Sequence, residues 1–222
     1  MVKIRKFAAL LLFAIVWISF TERAQAQNPS NYYVEDPRTF YGGLVLGGNF
    51  SQVDGDSYAG YHKVGLNAGG IVYIHLEEKL AASMEILFSQ KGSRGHRVQE
   101  SGIQGTYIQK YKINLNYAEV PIQLNYFDRR RSHFGGGLSY SQLITSKEEI
   151  NTNNGPVATD SFNFRKADLN LVLGGNVHIW NGFFVNLRFQ YSLIPIRKNI
   201  PPGFGRSEQF NNMWVVRLMY LF

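Results

Sequence analysis

Between residues 40 and 222 the apolar residues recur at every second position, stretch after stretch, with no convincing helical spacing. A period of two puts alternate side chains on opposite faces of a strand. Residues 40–50 set Phe40, Leu44, Leu46 and Phe50 against Gly43, Gly47 and Asn49. Residues 80–91 set Leu80, Met84, Ile86 and Phe88 against Ser83, Glu85, Ser89 and Lys91. The same alternation runs through 61–75, 107–126, 134–144, 167–179, 183–193 and 212–222. That predicts eight strands.

The connections alternate too. Those near 52–60, 92–106, 145–166 and 195–211 are long, and "HLEEK", "DRRRSH" and "NG" are short. Long loops at one end and tight turns at the other belong to an up-and-down barrel of the outer-membrane kind, with its turns in the periplasm. One strand breaks phase. Over 107–115 the apolar residues Tyr107, Tyr111, Ile113 and Leu115 fall at odd positions, whereas below Tyr117 they fall at even ones. Either a bulge near Asn116–Tyr117 switches the phase, or the upper part projects beyond the membrane. Pro121, lacking a ladder donor, is awkward in mid-strand.

Alternation alone does not say which face is outside, since a soluble barrel turns its apolar face inward. Here the polar face is mostly Gly, Ser, Asn and Gln, which suits a narrow interior. The apolar face is almost free of charge, as lipid requires. Aromatics gather at the strand ends: Phe40, Tyr126, Phe134, Trp180, Phe183 and Phe222 at one, Phe88, Tyr140, Tyr191 and Trp214 at the other. They form two interfacial girdles. The expected fold is all-β, an eight-stranded antiparallel up-and-down transmembrane β-barrel.

The N-terminus supports that destination. "MVKIRK" is basic, "FAALLLFAIVWISF" is apolar, and Ala24 and Ala26 form a small-residue cleavage site before Gln27. This is the pattern of a secretory signal peptide. The organisation expected is signal peptide 1–26, a short periplasmic N-terminal tail 27–37 and an outer-membrane barrel over 38–222. Removing 1–26 takes four cations and one carboxylate from the formal charge of +7, leaving +4. That is no nucleic-acid-binding stripe. The chain has no cysteine, which excludes disulfides and thiolate metal sites.

"MEILFSQKGSR" (84–94) and "LNYAEVPIQLNYF" (115–127) resemble two hallmark segments of the PorT-like outer-membrane β-barrel family of Bacteroidetes. "FYGGLVLGGNFS" and the terminal "RLMYLF" fit the same pattern. The resemblance covers roughly 38–222. It implies an eight-stranded barrel in the outer membrane, and its founding member is associated with type IX protein secretion and gliding.

Four interior charges stand out. Parity and distance from the strand ends place Glu85, Glu119, Arg188 and Arg217 on the inner face at similar depth, across a narrow lumen. A cross-lumen Glu–Arg network plugging the barrel is therefore expected, because buried charges need partners. Basic residues cluster at the long-loop end: Lys91, Arg94, Arg97, Lys110, Lys112, Arg165, Lys166, Arg197, Lys198 and Arg206. They are expected to contact lipopolysaccharide phosphates. The histidines His62, His75, His96, His133 and His178 read as solvated loop residues with no triad spacing. "DGD" at 54–56 reads as a turn. The function expected is structural or interactive, without catalysis or cofactor, in protein secretion or envelope assembly. The partners expected are outer-membrane lipid, lipopolysaccharide and other envelope or secretion proteins, with no nucleic acid. A small diffusion channel and a lipid A-modifying enzyme are the alternatives.

Overall fold

Period-two alternation becomes eight long antiparallel strands: β1 (Phe40–Asp54), β2 (Lys63–Glu77), β3 (Leu80–Arg94), β4 (Tyr107–Phe127), β5 (His133–Thr152), β6 (Ala167–Trp180), β7 (Phe183–Ser192) and β8 (Glu208–Leu221). The computed structural model describes residues 39–56, 58, 60–95, 98–100, 105–156, 163–198 and 206–222. The expected signal peptide and tail, with Arg97 and His96, lie outside the described residues. Each strand pairs with its sequence neighbours, and β1 pairs with β8 (Gly43 opposite Leu221, Asp54 opposite Phe210), so the ring closes. Closure leaves no free edge over the paired lengths.

The faces are inverted relative to a soluble barrel. Leu44, Leu46, Ile86, Leu138 and Leu218 are exposed, while Asn49, Asn67, Ser89, Asn170 and Gln190 are buried. Apolar side chains facing out around the whole ring make sense only in lipid. The girdle aromatics face outward, and several touch across strands: Phe183 and Tyr220 at 4.7 Å, Tyr126 and Phe134 at 5.7 Å, Phe189 and Trp214 at 5.1 Å.

The strands run higher than their apolar pattern suggested. β5 continues to Thr152, well into the expected 145–166 loop, and pairs with the top of β4 (Lys112 opposite Glu149, Tyr111 opposite Ile150). The phase break is also relocated. From Tyr111 down to Phe127 β4 keeps one parity, with Tyr111, Ile113, Leu115 and Tyr117 buried in line with Glu119 and Gln123. The register slips at Asn116–Tyr117, but the extra residue is Ile144 on β5, because Asn116 faces Thr145 while Tyr117 faces Leu143. A one-residue insertion flips every later side chain to the other face. Below the bulge Ser139 and Ser141 are buried; above it Ile150 and Thr152 are.

What changes along β4 is therefore the content of the lumen. Its upper part is a small apolar core: Val53, Ile108, Tyr111, Ile113, Leu115, Tyr117, Ile150 and Ile196, with Tyr58, Leu143 and Phe164 against it. The outer face there carries Lys110, Lys112, Asn114 and Asn116. The barrel is inside-out within the lipid belt and has the ordinary apolar interior above it. Pro121 fits this ladder with a lapse. The β3–β4 register is unbroken from Met84 (opposite Ile122) to Leu87 (opposite Glu119), but pairing lapses at Glu85 and Ile86, opposite Pro121 and Val120. Proline has no N–H to give.

Deleting Ile144 tests the bulge. It returns Ser146, Glu148 and Ile150 to the wrong faces, so the β4–β5 extension should lose its packing while the belt stays closed. Limited proteolysis of the folded, heat-modifiable barrel should then cut within 105–156 at much lower protease concentration than in the wild type.

Candidate functional site

The buried charges of the lumen fall into two tiers. In the lower one Glu85, from β3, receives both arginines. The Arg217 fork is bidentate, Nη1 to Oε2 at 2.7 Å and Nη2 to Oε1 at 2.9 Å. Arg188 donates through Nη2 to Oε1. Gln123 Nε2 adds a third donor to the same oxygen at 3.0 Å. The Arg217 Nε bonds Asn186 Oδ1 at 2.7 Å and its Nη1 bonds Asn67 Oδ1 at 3.3 Å. Planar forks on a carboxylate are the strongest protein hydrogen bonds. Glycine makes room: Gly47 faces Arg217 across β1–β8, and a Cβ there would lie 2.3 Å from Arg217 Cβ.

In the upper tier Lys91 is the hub. Its ammonium pairs with Glu119, lies 3.7 Å from Asp168 Oδ2 and 3.4 Å from both Ser141 Oγ and Asn170 Oδ1, and sits over the Tyr117 ring. Ser141 Oγ and Gln190 Nε2 donate to Glu119 Oε1 at 2.9 and 3.2 Å. Asp168 Oδ2 accepts from Asn211 Nδ2 at 2.9 Å and Ser192 Oγ at 3.1 Å. Glu85, Glu119 and Asp168 balance Arg188, Arg217 and Lys91, so the two tiers together are neutral, although the lower carries one excess positive charge and the upper one excess negative.

Three of the four expected interior charges thus meet, and the fourth does not meet them. Glu119 faces Leu87, two residues above Glu85, and takes Lys91 instead of an arginine. Lys91 itself corrects an expectation. It is fully buried inside the ring, not at the lipopolysaccharide, because it shares the parity of Glu85 and Ser89. Asp168 is a further member of the network, beyond the four interior charges expected. It too stood on a polar face.

Below the charges lies a tier of rings. Tyr41, Tyr73, Phe127, His133 and Phe184 are all buried. Phe127 stacks on His133 at 4.2 Å, and the Tyr73 hydroxyl lies 2.9 Å from His133 Nε2. His75 packs on Phe127 and Tyr41, and His178 on Phe184. The reading of His75, His133 and His178 as solvated loop histidines is corrected, since all three ring systems pack within the turn end of the barrel.

Above the charges the cap includes a second correction. Arg197 is buried, clasping Glu148 with Nη1 to Oε2 at 2.7 Å and Nη2 to Oε1 at 2.8 Å, and donating Nε to Gln209 Oε1 at 2.7 Å. It ties the segment after β7 to the β5 extension and is not available to an outside phosphate. Gly55, at φ 99°, makes the expected turn, and Asp56 Oδ1 accepts the Tyr58 N–H at 2.8 Å. The remaining expected cations are outside: Arg94, Lys110, Lys112, Arg165, Lys166 and Arg206 on the surface, Lys198 paired with Glu208 at 2.9 Å.

The description "outer membrane protein beta-barrel domain" matches residues 24–198. The chain belongs to that family. It is an outer-membrane protein. Its fold is similar to the attachment invasion locus protein Ail of Yersinia pestis (13% identity, 83% of this chain and 100% of that one, TM-score 0.45). It is also similar to Neisserial surface protein A (7%, 85% and 100%, TM-score 0.46) and to OprG of Pseudomonas aeruginosa (11%, 82% and 94%, TM-score 0.39). No curated protein matches the chain.

The family member's lower tier depends on one carboxylate. Glu85→Gln leaves two buried guanidinium groups short of an anion and should destabilise the barrel by about 3–5 kcal/mol, measured by urea unfolding in liposomes. Asp56 gives a pH signature. Burial pushes its carboxyl up from 3.8 to about 7, against the lowering effects of Ser93, the Tyr58 N–H and Arg197. The folded chain then holds a proton that the unfolded chain has released, so this residue makes stability fall as pH rises from about 4 to about 7 and level off above. Asp56→Asn should flatten that slope in unfolding titrations.

Proposed function

We propose that the protein is a closed outer-membrane anchor with a structural and interaction role in the envelope, working through the part of the barrel that stands above the lipid belt. The observation that carries this reading is a lumen filled at three successive levels: rings at the turn end, a neutral charge network in the middle and an apolar core under the loops. A diffusion channel needs a continuous water path, and eight strands leave little more than room for side chains. Among the described residues the lumen beside the charge network is filled by side chains, which supports a non-catalytic reading.

The link to protein secretion or envelope assembly rests on the PorT-like segments. Residues 84–94 and 115–127 carry Glu85, Lys91, Tyr117, Glu119 and Gln123, which hold the interior network together. The resemblance thus falls on residues that fill the lumen. In planar bilayers the wild type should show no steady conductance, and Glu85→Gln with Glu119→Gln should raise it or lower the unfolding temperature. A steadily open wild-type channel, untouched by that pair, overturns the closed anchor and supports the diffusion channel. In cells, a photo-crosslinker at Asn151 on the extension should form a discrete protein adduct that one at Leu138 in the belt does not.

A further inference from the structure

One sector of the outer wall is charged in a way that folding does not explain. Arg94 on β3 lies directly opposite Lys112 on β4, on the outward face. Like charges directly opposite across a ladder are destabilising. Glu149 stands on the other side of Lys112, but it is engaged by Lys110 at 2.9 Å and Lys147 at 3.3 Å. Lys63, at the start of β2, donates to its neighbour's carbonyl, Val64 O, at 3.2 Å. Burial holds the Lys63 ammonium below the usual lysine range, and the charges of Lys112 and Arg94 push it the same way. Among the described residues no carboxylate pairs with Lys63, Arg94 or Lys112. Four cations and one carboxylate share this outward face, and the Lys63 ammonium at the upper end of β2 is close enough to Arg94 and Lys112 to feel their charge.

Its position indicates what it meets. The three strands run straight from the lipid belt into it. Below Arg94 on β3 come Gln90 and then the exposed Phe88 and Ile86; below Lys112 on β4 come Asn114 and Asn116 and then Ile122 and Leu124. The order is apolar wall, neutral hydrogen-bonding band, cations. That is the order of acyl chain, sugar or glycerol, and phosphate in a lipid standing against the wall. We propose that Lys63, Arg94 and Lys112 bind the phosphate of an outer-leaflet lipid whose acyl chains lie against β2–β4. The bound anion relieves the Arg94–Lys112 repulsion, and the site is independent of whether the lumen conducts.

The test uses the whole barrel in detergent micelles, titrated with diphosphoryl lipid A, with the same lipid enzymatically dephosphorylated, and with inorganic phosphate. Wild type should bind the phosphorylated lipid in preference to the dephosphorylated one. Lys63→Gln/Arg94→Gln/Lys112→Gln should weaken that binding by about tenfold or more, as expected for lost charge-assisted hydrogen bonds. The same variant should unfold at an equal or higher temperature without lipid, because a repulsion has been removed. A merely structural role for the three cations predicts the opposite shift. Should the triple variant fail to show the heat-modifiable folded band, Lys112→Gln alone decides by the same two readouts. Equal binding of the dephosphorylated lipid, unchanged binding by the variant, or full competition by millimolar inorganic phosphate each overturns the proposal; the last would make this a site for free anions.

Discussion

Everything inside this barrel follows from the placement of one carboxylate. A ring of eight strands turns its polar face inward when its apolar face meets lipid, and the space so enclosed is too narrow for a bulk-like water column. Two arginines on adjacent strands then need a single anion that both can reach. Glu85 is that anion, and β3 is held to β7 and β8 across the lumen by its two oxygens. The penalty for burying Arg217 is offset because nearly every remaining donor on it also finds an oxygen, from Asn186 and Asn67. Gly47 is part of the same arrangement, since any side chain there would displace the strand that carries Arg217.

The second organising feature is the level at which the barrel stops being a membrane protein in its internal chemistry. Within the belt the lumen holds the charge network above the turn-end rings, and the wall is apolar. Above it the lumen holds Ile113, Leu115, Tyr111 and Ile196, and the wall carries lysines. β4 makes the change by altering its residue types at constant parity. β5 makes it by inserting Ile144, so that Ile150 joins the core and Glu149 the wall. Arg197 then fastens the loop to this extension through Glu148. The upper barrel is thereby stabilised by ordinary burial of apolar surface from water, which the lower barrel, facing lipid, lacks.

Much of this was legible in the chain. Parity identifies the eight strands; the near absence of charge on the apolar face and the aromatic girdles then identify the inverted faces, and with them the inward direction of Glu85, Arg188 and Arg217. Depth was less legible. Counting residues from the strand ends puts Glu119 level with Glu85, but the register sets it two residues higher, where Lys91 reaches it. Lys91 and Asp168 were visible on polar faces of their strands. A lysine near a strand end such as Lys91 reads as a surface residue, although its long apolar stem lets it bridge a lumen. Arg197 carried no signal at all. It lies outside any alternating stretch, and only the tertiary fold brings it to Glu148.

The bulge shows why the upper barrel resisted reading. "TSKEEINTNNG" has almost no apolar residues with which to announce a strand, so β5 seemed to end where its lipid contact ends. Its upper half is specified from the other side. Tyr111, Ile113 and Leu115 on β4 need a partner that covers them, and Ile150 supplies it only if the parity of β5 has been reversed below. A strand that looks like a loop in isolation is thus selected by the apolar row it must pair with, a tertiary override of local pattern. The same reversal turns Lys147 and Glu149 outward while Glu148 goes in. One inserted residue therefore builds the upper core and also composes the charged outer wall beside it.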